Sequence, residues 1–257
     1  MFSWHIYFLG LGLALLAAAV VWLFSLKLRD VTIVDSLWSV LFMLLAWSFA
    51  VASGHWGPRS LLTLSLVTVW AIRLSTYIAW RHRGQPEDHR YQAIRARNQP
   101  NFPLKSLYLV FGLQAVLAWI ISLPLLGAVV GDGALGATDI AGAALWVVGF
   151  YFEAVGDWQL ARFKADHANR GRVMDRGLWG LTRHPNYFGE FCMWWGLYVM
   201  AVAAGAWWSI LGPMLMSFLL LRVSGVTLLE KDIGDRRPQY ADYVKRTHAF
   251  FPGWPRR

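Results

Sequence analysis

Between Leu178 and Trp195 the chain reads LWGLTRHPNYFGEFCMWW, a basic, polar turn set directly against an apolar run. Arg183, His184 and Asn186 supply the polar groups of the turn, and Glu190 follows inside the apolar run. Pro185 suits the first turn of a helix, where a missing N–H costs nothing. Tyr187, Glu190 and Trp194 then recur at spacings of three and four, which places them on one helix face. The stretch therefore reads as a helix that carries an acid into a membrane. A carboxylate in an apolar segment is expensive unless partnered, and such residues mark function by default. Taken alone, the motif fits a membrane-surface anchor with a buried ion pair equally well.

Other polar residues share the neighbourhood of apolar runs. Asp35 opens the second run. Arg73 and Tyr77 stand four apart in the third, and Glu153 and Asp157 four apart at the end of the fifth. Arg222 lies seven residues before the end of the last run, and Glu230 sits at that end. Each has a local explanation. Asp35 can cap a helix, Arg73 can snorkel, Tyr77 and Trp194 can sit in an interfacial belt, and Arg222 can pair with Glu190. Independent ion pairs have no reason to gather at one depth, however. A polar cavity between helices, open to the cytoplasm, accounts for all of them.

The elements that must position these residues are membrane helices. Apolar residues make up 57% of the chain and charged residues 15%, the composition of the membrane class. Seven spans are expected, near Ile6–Leu26, Ile33–Ala52, Leu61–Trp80, Leu104–Val130, Ile140–Phe152, Tyr187–Ala203 and Trp207–Leu229. The fifth is short unless it continues past Glu153. In lipid the backbone must satisfy its own polar groups, so all seven are helices. Lysine and arginine follow spans one, three, five and seven, while the opposite connections hold only Arg59. That alternation predicts an outside N-terminus and a cytoplasmic C-terminus. It also gives the net charge of +9 a membrane source rather than a nucleic-acid one. One membrane domain, 1–257, is expected, with 1–103 as a substrate and catalytic half and 104–257 as a cofactor-binding half.

Other classes lose support. Cys192 is the single cysteine, so no intrachain disulfide forms. No Cys/His cluster has metal-ligand spacing, and no metal is expected. No GxGxxG follows a strand. The first apolar run lacks a preceding Lys or Arg, and Lys27 and Arg29 follow it, which argues for a retained span over a cleaved signal peptide.

The C-terminal half resembles the steroid 5α-reductase family, in its bacterial branch of seven-span membrane proteins. The residues that carry the resemblance are GDWQL with Asp157, the basic run through Lys164 and Arg172, RGLWGLTRHPNYFGE, Trp194, LLRVSG with Arg222, and QYADYVKRTHAFFP. It extends more weakly to Asp35 and the Arg73–Gly84 stretch. Sterol reductases share the motif. Membrane methyltransferases acting on isoprenylcysteine or phosphatidylethanolamine carry a similar RHPxYxG run. The resemblance implies a bacterial inner-membrane enzyme with NADPH as cofactor. Asp157, Asn186, Tyr187 and Glu190 would meet the nicotinamide and ribose end, with Arg73, Glu153 and His184 beside them. Lys164, Arg172, Arg183 and Arg222 would meet the phosphates, Trp194 and Tyr187 would wall the nicotinamide, and Glu230, Tyr240 and Tyr243 would close the site.

The reaction implied is reduction of a carbon–carbon double bond conjugated to a ketone, a 3-oxo-4-ene steroid being the best guess. The family uses a Glu–Tyr pair at the carbonyl oxygen, and the counterparts here are Asp35, kept protonated by burial, and Tyr77. Asp35 follows Val34, where the family has a glutamate within a Gln-containing motif, and the family tyrosine aligns near Trp70 as well as near Tyr77. Two other readings stand beside this one. One is an S-adenosylmethionine-dependent membrane methyltransferase. The other is a sterol- or lipid-binding protein without catalysis. Six Lys and Arg between Asp157 and Asn186 favour a phosphate-bearing cofactor. The Arg81–Pro103 segment is expected to form a mobile lid.

Overall fold

The computed structural model describes residues 2–223 and 239–256. Among these residues the fold is entirely helical. Five helices are long and apolar enough to cross a membrane: α1 (Trp4–Leu28), α2 (Ile33–Ser53), α3 (Pro58–His82), α5 (Phe102–Ile121) and α7 (Ala137–Ala165). Between α3 and α5 lies the short polar helix α4 (His89–Arg97), and α6 (Leu123–Val130) follows α5. A single turn, Leu178–Leu181, precedes α8 (Pro185–Ala203). The shorter apolar helix α9 (Trp207–Val223) and the polar α10 (Tyr240–Arg246) follow it.

The chain divides into two compact units. The first is Met1–Gly136 with Ala201–Leu211, and the second is Ala137–Met200 with Gly212–Arg257.

In the first unit, α1, α2 and α3 follow one another through tight turns whose residues explain them. Arg29 takes φ 55° and donates its N–H to Ser25 O, ending α1 in a left-handed cap. Gly54 does the same for α2 at φ 68°, and Pro58 opens α3 where its missing N–H costs nothing. Gly10 lets α1 lie against the ring of Phe49 on α2; a carbon added there would stand 2.6 Å from Phe49 Cε1. The long α5 runs alongside α1. Trp119 Nε1 donates to Tyr7 O at 2.8 Å, and Trp22 Nε1 donates to Pro103 O at 2.9 Å. Within α5, Leu107–Gly112 forms a π-helical turn.

Arg59, the lone basic residue of the outer connections in the sequence reading, is 4% exposed. Its guanidinium folds back to donate to the carbonyls of Asp132 and Ala134 at 3.0 and 3.2 Å. A buried charge with carbonyl partners serves the fold, so it does not weaken the charge asymmetry around it.

In the second unit, α7 and α8 meet through glycine. Gly142, Gly149 and Gly156 recur every seven residues on α7, and Gly189 and Gly196 do so on α8. A carbon added to Gly142 would lie 2.6 Å from Gly196 O, and one added to Gly149 would collide with Gly189 O. Such backbone-to-backbone approach needs small residues, as in membrane helix pairs.

The span boundaries differ from the sequence reading in two places, the fourth and fifth spans. The fourth predicted span, Leu104–Val130, breaks at Ser122, because Pro124 cannot continue the hydrogen-bond ladder of α5. The fifth, Ile140–Phe152, extends through Glu153 and Asp157 to Ala165 as one helix of 29 residues. The seventh runs beyond Val223 in the sequence reading, and that part lies outside the described residues.

Replacing Gly149 with alanine drives a methyl into the Gly189 carbonyl. The expected cost is that of overpacking, about 1–3 kcal/mol, with a lower unfolding midpoint in detergent. Gly12→Ala, where an added carbon meets nothing within 4 Å, leaves the midpoint unchanged or slightly raised. Scanning fluorimetry on both variants reads the difference, and equal midpoints would mean that α7 and α8 do not touch at backbone distance.

Candidate functional site

Each unit carries its own polar centre. In the first unit the centre is Asp35, the third residue of α2. Its side chain is 18% exposed, and both carboxyl oxygens are engaged. Arg90 Nη2 donates to Oδ2 at 2.7 Å, and Tyr91 Oη donates to Oδ1 at 2.5 Å. Gln114 Nε2, on α5, in turn donates to Tyr91 Oη at 3.3 Å.

The local sequence explains how Arg90 and Tyr91 arrive there. Asp88 caps α4 by accepting from Arg90 N, and it also accepts from Arg90 Nε, both at 2.9 Å. The cap therefore aims the arginine's outer nitrogen at Asp35. The segment around it is fastened to the α1–α2 turn. Val31 N donates to Glu87 Oε1 at 3.0 Å, and Asp88 N donates to Thr32 Oγ1 at 2.9 Å. Arg95 grips Glu87 with two parallel bonds of 2.8 and 2.7 Å, and His82 meets Asp30 at 2.7 Å. Bidentate Arg–carboxylate bonds of this kind are the strong ones. The sequence reading took Arg81–Pro103 as a mobile lid. In this structure the segment is a strap, because its acids and bases close onto the α1–α2 turn.

Electrostatics follow from this packing. Burial, and then the charge of Asp35, push the Tyr91 phenol well above its ordinary range, so it is a protonated donor. Burial disfavours the Arg90 cation, but Asp88 and Asp35 more than compensate. Asp30 and Asp88 are held below the usual carboxylate range. In both, burial works the other way and is outweighed by hydrogen bonds, from Thr32 and His82 onto Asp30 and from Arg90 onto Asp88.

The tyrosine that meets Asp35 is thus Tyr91, which the sequence marks with Glu87 and Asp88 as part of a polar binding surface but not as the partner of Asp35. Tyr77 lies half-buried on α3, its ring centroid 5.3 Å from the Arg73 guanidinium and 5.5 Å from that of Arg81. Asp35 accepts from both Arg90 and Tyr91. Arg90 thus sets a positive charge beside Asp35 that the span pattern did not reveal. The one available signal was Asp88 ahead of a helical turn, the cap that sets Arg90 and Tyr91 in place.

In the second unit, Glu153 and Asp157 stand one turn apart on α7, 2% and 3% exposed. Asn186 Nδ2 donates to Asp157 Oδ1 at 3.3 Å, across the contact between Gly156 and Pro185. His184 is buried, and its ring stacks on Tyr187 at 5.7 Å and 8°. Trp194 is buried, and Glu190 is partly buried on the same helix. The preceding turn is held by residues that the sequence reading did not single out. Gly177 takes φ 61°, Gln159 Oε1 accepts from Leu178 N at 3.0 Å, and Trp179 Nε1 donates to Gly156 O at 2.9 Å.

The tail closes onto this turn. Tyr243 Oη donates to Trp179 O at 2.6 Å, and Tyr240 packs its ring against Tyr243. Arg183 Nη1 donates to the carbonyls of Val244 and Thr247 at 3.2 and 3.0 Å, so part of its guanidinium ties down the tail. Thr182 Oγ1 donates to Phe250 O at 2.8 Å. The structure therefore gathers Glu153, Asp157, Arg183, His184, Asn186, Tyr187, Tyr240 and Tyr243 into one unit. Lys164, Arg172 and Arg222 are exposed. Glu230 lies outside the described residues.

Several long apolar helices with polar side chains gathered inside define an integral membrane protein of the helical class. The chain belongs to the family described as protein of unknown function (DUF1295), which matches residues 21–247. It is similar to an uncharacterized protein of Schizosaccharomyces pombe, 26% identical over 278 aligned positions that cover 95% of this chain and 78% of that protein. No solved structure matches.

The depressed carboxyls give the strap a pH dependence. A group whose folded value lies below its unfolded one contributes fully above the unfolded value, about 3.9 for aspartate. The contribution is lost as pH falls through the folded value. The strap is thus expected to resist pepsin at pH 4 and to be cut within residues 84–101 at pH 2, whereas Asp88→Asn is cut at both. Identical cleavage of the two proteins at pH 4 would show that Asp88 does not hold the strap.

Proposed function

We propose that the chain is an NADPH-dependent reductase of the steroid 5α-reductase kind, reducing the carbon–carbon double bond of a membrane-soluble enone, with a 3-oxo-4-ene steroid as the best candidate. The observation that carries this reading is the Asp35–Tyr91 pair: a protonated tyrosine backed by a carboxylate, inside a unit made of apolar helices. The resemblance of the RHPNYFGE stretch and its buried acids to that family supports it. Seven spans, an outside N-terminus and a cofactor cavity open to the cytoplasm belong to the same proposal, supported by the alternation of basic connections.

The residues of the second unit fit the cofactor. A nicotinamide carboxamide needs both donors and acceptors, and the buried set Glu153, Asp157 and Asn186 offers both. The exposed cations Lys164, Arg172 and Arg222 suit phosphates, and Arg183 stands on the same unit. Glu190, Trp194 and Tyr187 would flank the ring. When bound, NADPH supplies the hydride.

In the first unit, the chemistry asked of the protein is electrostatic. Reducing an enone adds hydride at the β-carbon and leaves negative charge on the carbonyl oxygen. A neutral hydroxyl placed there stabilises that charge more than the ground-state carbonyl. Tyr91 is such a donor, because its raised pKa keeps its proton in place. Asp35 orients it and Arg90 offsets the carboxylate. For this work the Tyr91 hydroxyl turns from Asp35 to the ligand oxygen. Tyr77 stays a second candidate on α3, and the two are separable by substitution.

The first test is the unfolding midpoint of purified protein with NADPH, NADH or S-adenosylmethionine, since a ligand that binds only the folded state raises it. NADPH is expected to raise it most. A rise with S-adenosylmethionine alone would move the chain to methyl transfer, and no rise with any would favour a lipid-binding protein. In enone turnover, Tyr91→Phe is expected to lose about 10²–10³-fold in kcat, the cost of one oxyanion donor. An undiminished Tyr91→Phe beside a crippled Tyr77→Phe would transfer the role to α3.

A further inference from the structure

Gln114 stands inside the apolar stretch Phe102–Ile121, and its two polar atoms are treated differently. Nε2 donates to Tyr91 Oη, whereas Oε1 is buried and meets no donor among the described residues. The amide cannot simply be turned over. Tyr91 gives its proton to Asp35, so the phenol oxygen presents lone pairs to Gln114. Reversing the amide would set Oε1 against those lone pairs. The network that runs from Gln114 through Tyr91 to Asp35 and Arg90 therefore fixes which atom is left over.

An amide oxygen left this way is expensive, because it forfeits its hydration and hydrocarbon offers no substitute. The helix also departs from regularity just ahead of it. The π-helical turn Leu107–Gly112 inserts a residue, which rotates position 114 by roughly 100° relative to an unbroken α-helix. Gly112 permits that turn, since an added carbon would stand 3.1 Å from Leu107 O. Such bulges cost regular hydrogen bonds and occur frequently at functional sites. Gln114 is itself partly exposed, and its neighbour Leu113 is 52% exposed, so the residue borders the apolar surface of the unit.

We propose that Gln114 determines ligand specificity, its Oε1 accepting a hydrogen bond from a hydroxyl group carried by an apolar ligand that enters the first unit from the bilayer. The inference rests on the reading above in taking such a ligand to enter this unit, and it adds a hydroxyl to the enone. A ketone, an ether or a bare hydrocarbon has no donor and leaves the oxygen unmet. A hydroxyl satisfies it without a charge.

The test uses the purified full-length chain without cofactor, so failure of the NADPH experiment leaves it intact. Cholestanol is compared with its 3-methyl ether, and farnesol with its methyl ether, each by the shift in unfolding midpoint. At least one alcohol is expected to bind about tenfold more tightly than its ether. In Gln114→Met, which keeps length and loses polarity, that preference is expected to vanish while the ether binds as before. Equal binding of alcohol and ether by the unaltered protein overturns the proposal, whether or not the variant folds. So does a preference that survives in Gln114→Met, and so does the absence of any shift with either alcohol. In each of those cases the reductase reading stands, with a ligand of another polarity.

Discussion

A carboxylate at the head of an apolar helix has to be met by partners from elsewhere in the chain, and Asp35 is met by a guanidinium and a phenol from a single short helix. The rest of the first unit follows from that requirement. Arg90 reaches Asp35 because Asp88 holds its backbone and its Nε together. Asp88 is in position because Thr32 accepts its N–H, and Glu87 because Val31 donates to it. The strap is therefore a consequence of solvating one acid where water is scarce. A buried pair of this sort is poor evidence of stability, since desolvation offsets much of the attraction.

The second unit depends on a different constraint, the distance between two backbones. Glycines every seven residues bring α7 and α8 so close that Asp157 and Asn186 can share a hydrogen bond. Larger residues at Gly149 or Gly156 would widen the gap and separate the buried acids from the start of α8. The turn before α8 is then locked by Gln159 and Trp179, and the tail by Tyr243 and Arg183. Each lock is a side chain bonded to a main-chain group, which satisfies that group while fixing its position.

The sequence made some of this legible and hid the rest for identifiable reasons. Helices α1, α2 and α3 stand where the apolar runs and their Gly and Pro punctuation indicate, because lipid leaves the backbone no alternative. The end of α7 was obscured by Glu153 and Asp157. Averaged along the chain they look like the end of a span, although in the fold both are buried. The break at Ser122 was visible only as Pro124 inside a long apolar run. Tyr91 as the partner of Asp35 was the largest omission. Its sequence neighbours are charged and polar, and nothing along the chain says that a juxtamembrane tyrosine folds back onto an acid fifty-six residues earlier. Long-range polar pairing of this kind depends on three-dimensional closure of the strap, which has no period to read.

The same closure changes how the candidate catalytic group must be understood. A protonated carboxylic acid and an ionised one backed by arginine ask different things of a neighbouring tyrosine. The first would compete with it for the substrate oxygen. In the proposed reading Asp35 accepts from Tyr91 and orients it, and the tyrosine is the group that turns to the ligand. With Gln114 donating to the phenol oxygen from the other side, Tyr91 is held by one acceptor and one donor, and its rotation is coupled to both. A ligand that takes over the phenol's hydrogen bond would leave Asp35 with Arg90, which already stands 2.7 Å from it. In the proposed reading the arginine offsets the charge before the ligand arrives, which is the preorganisation that electrostatic catalysis in an apolar site requires.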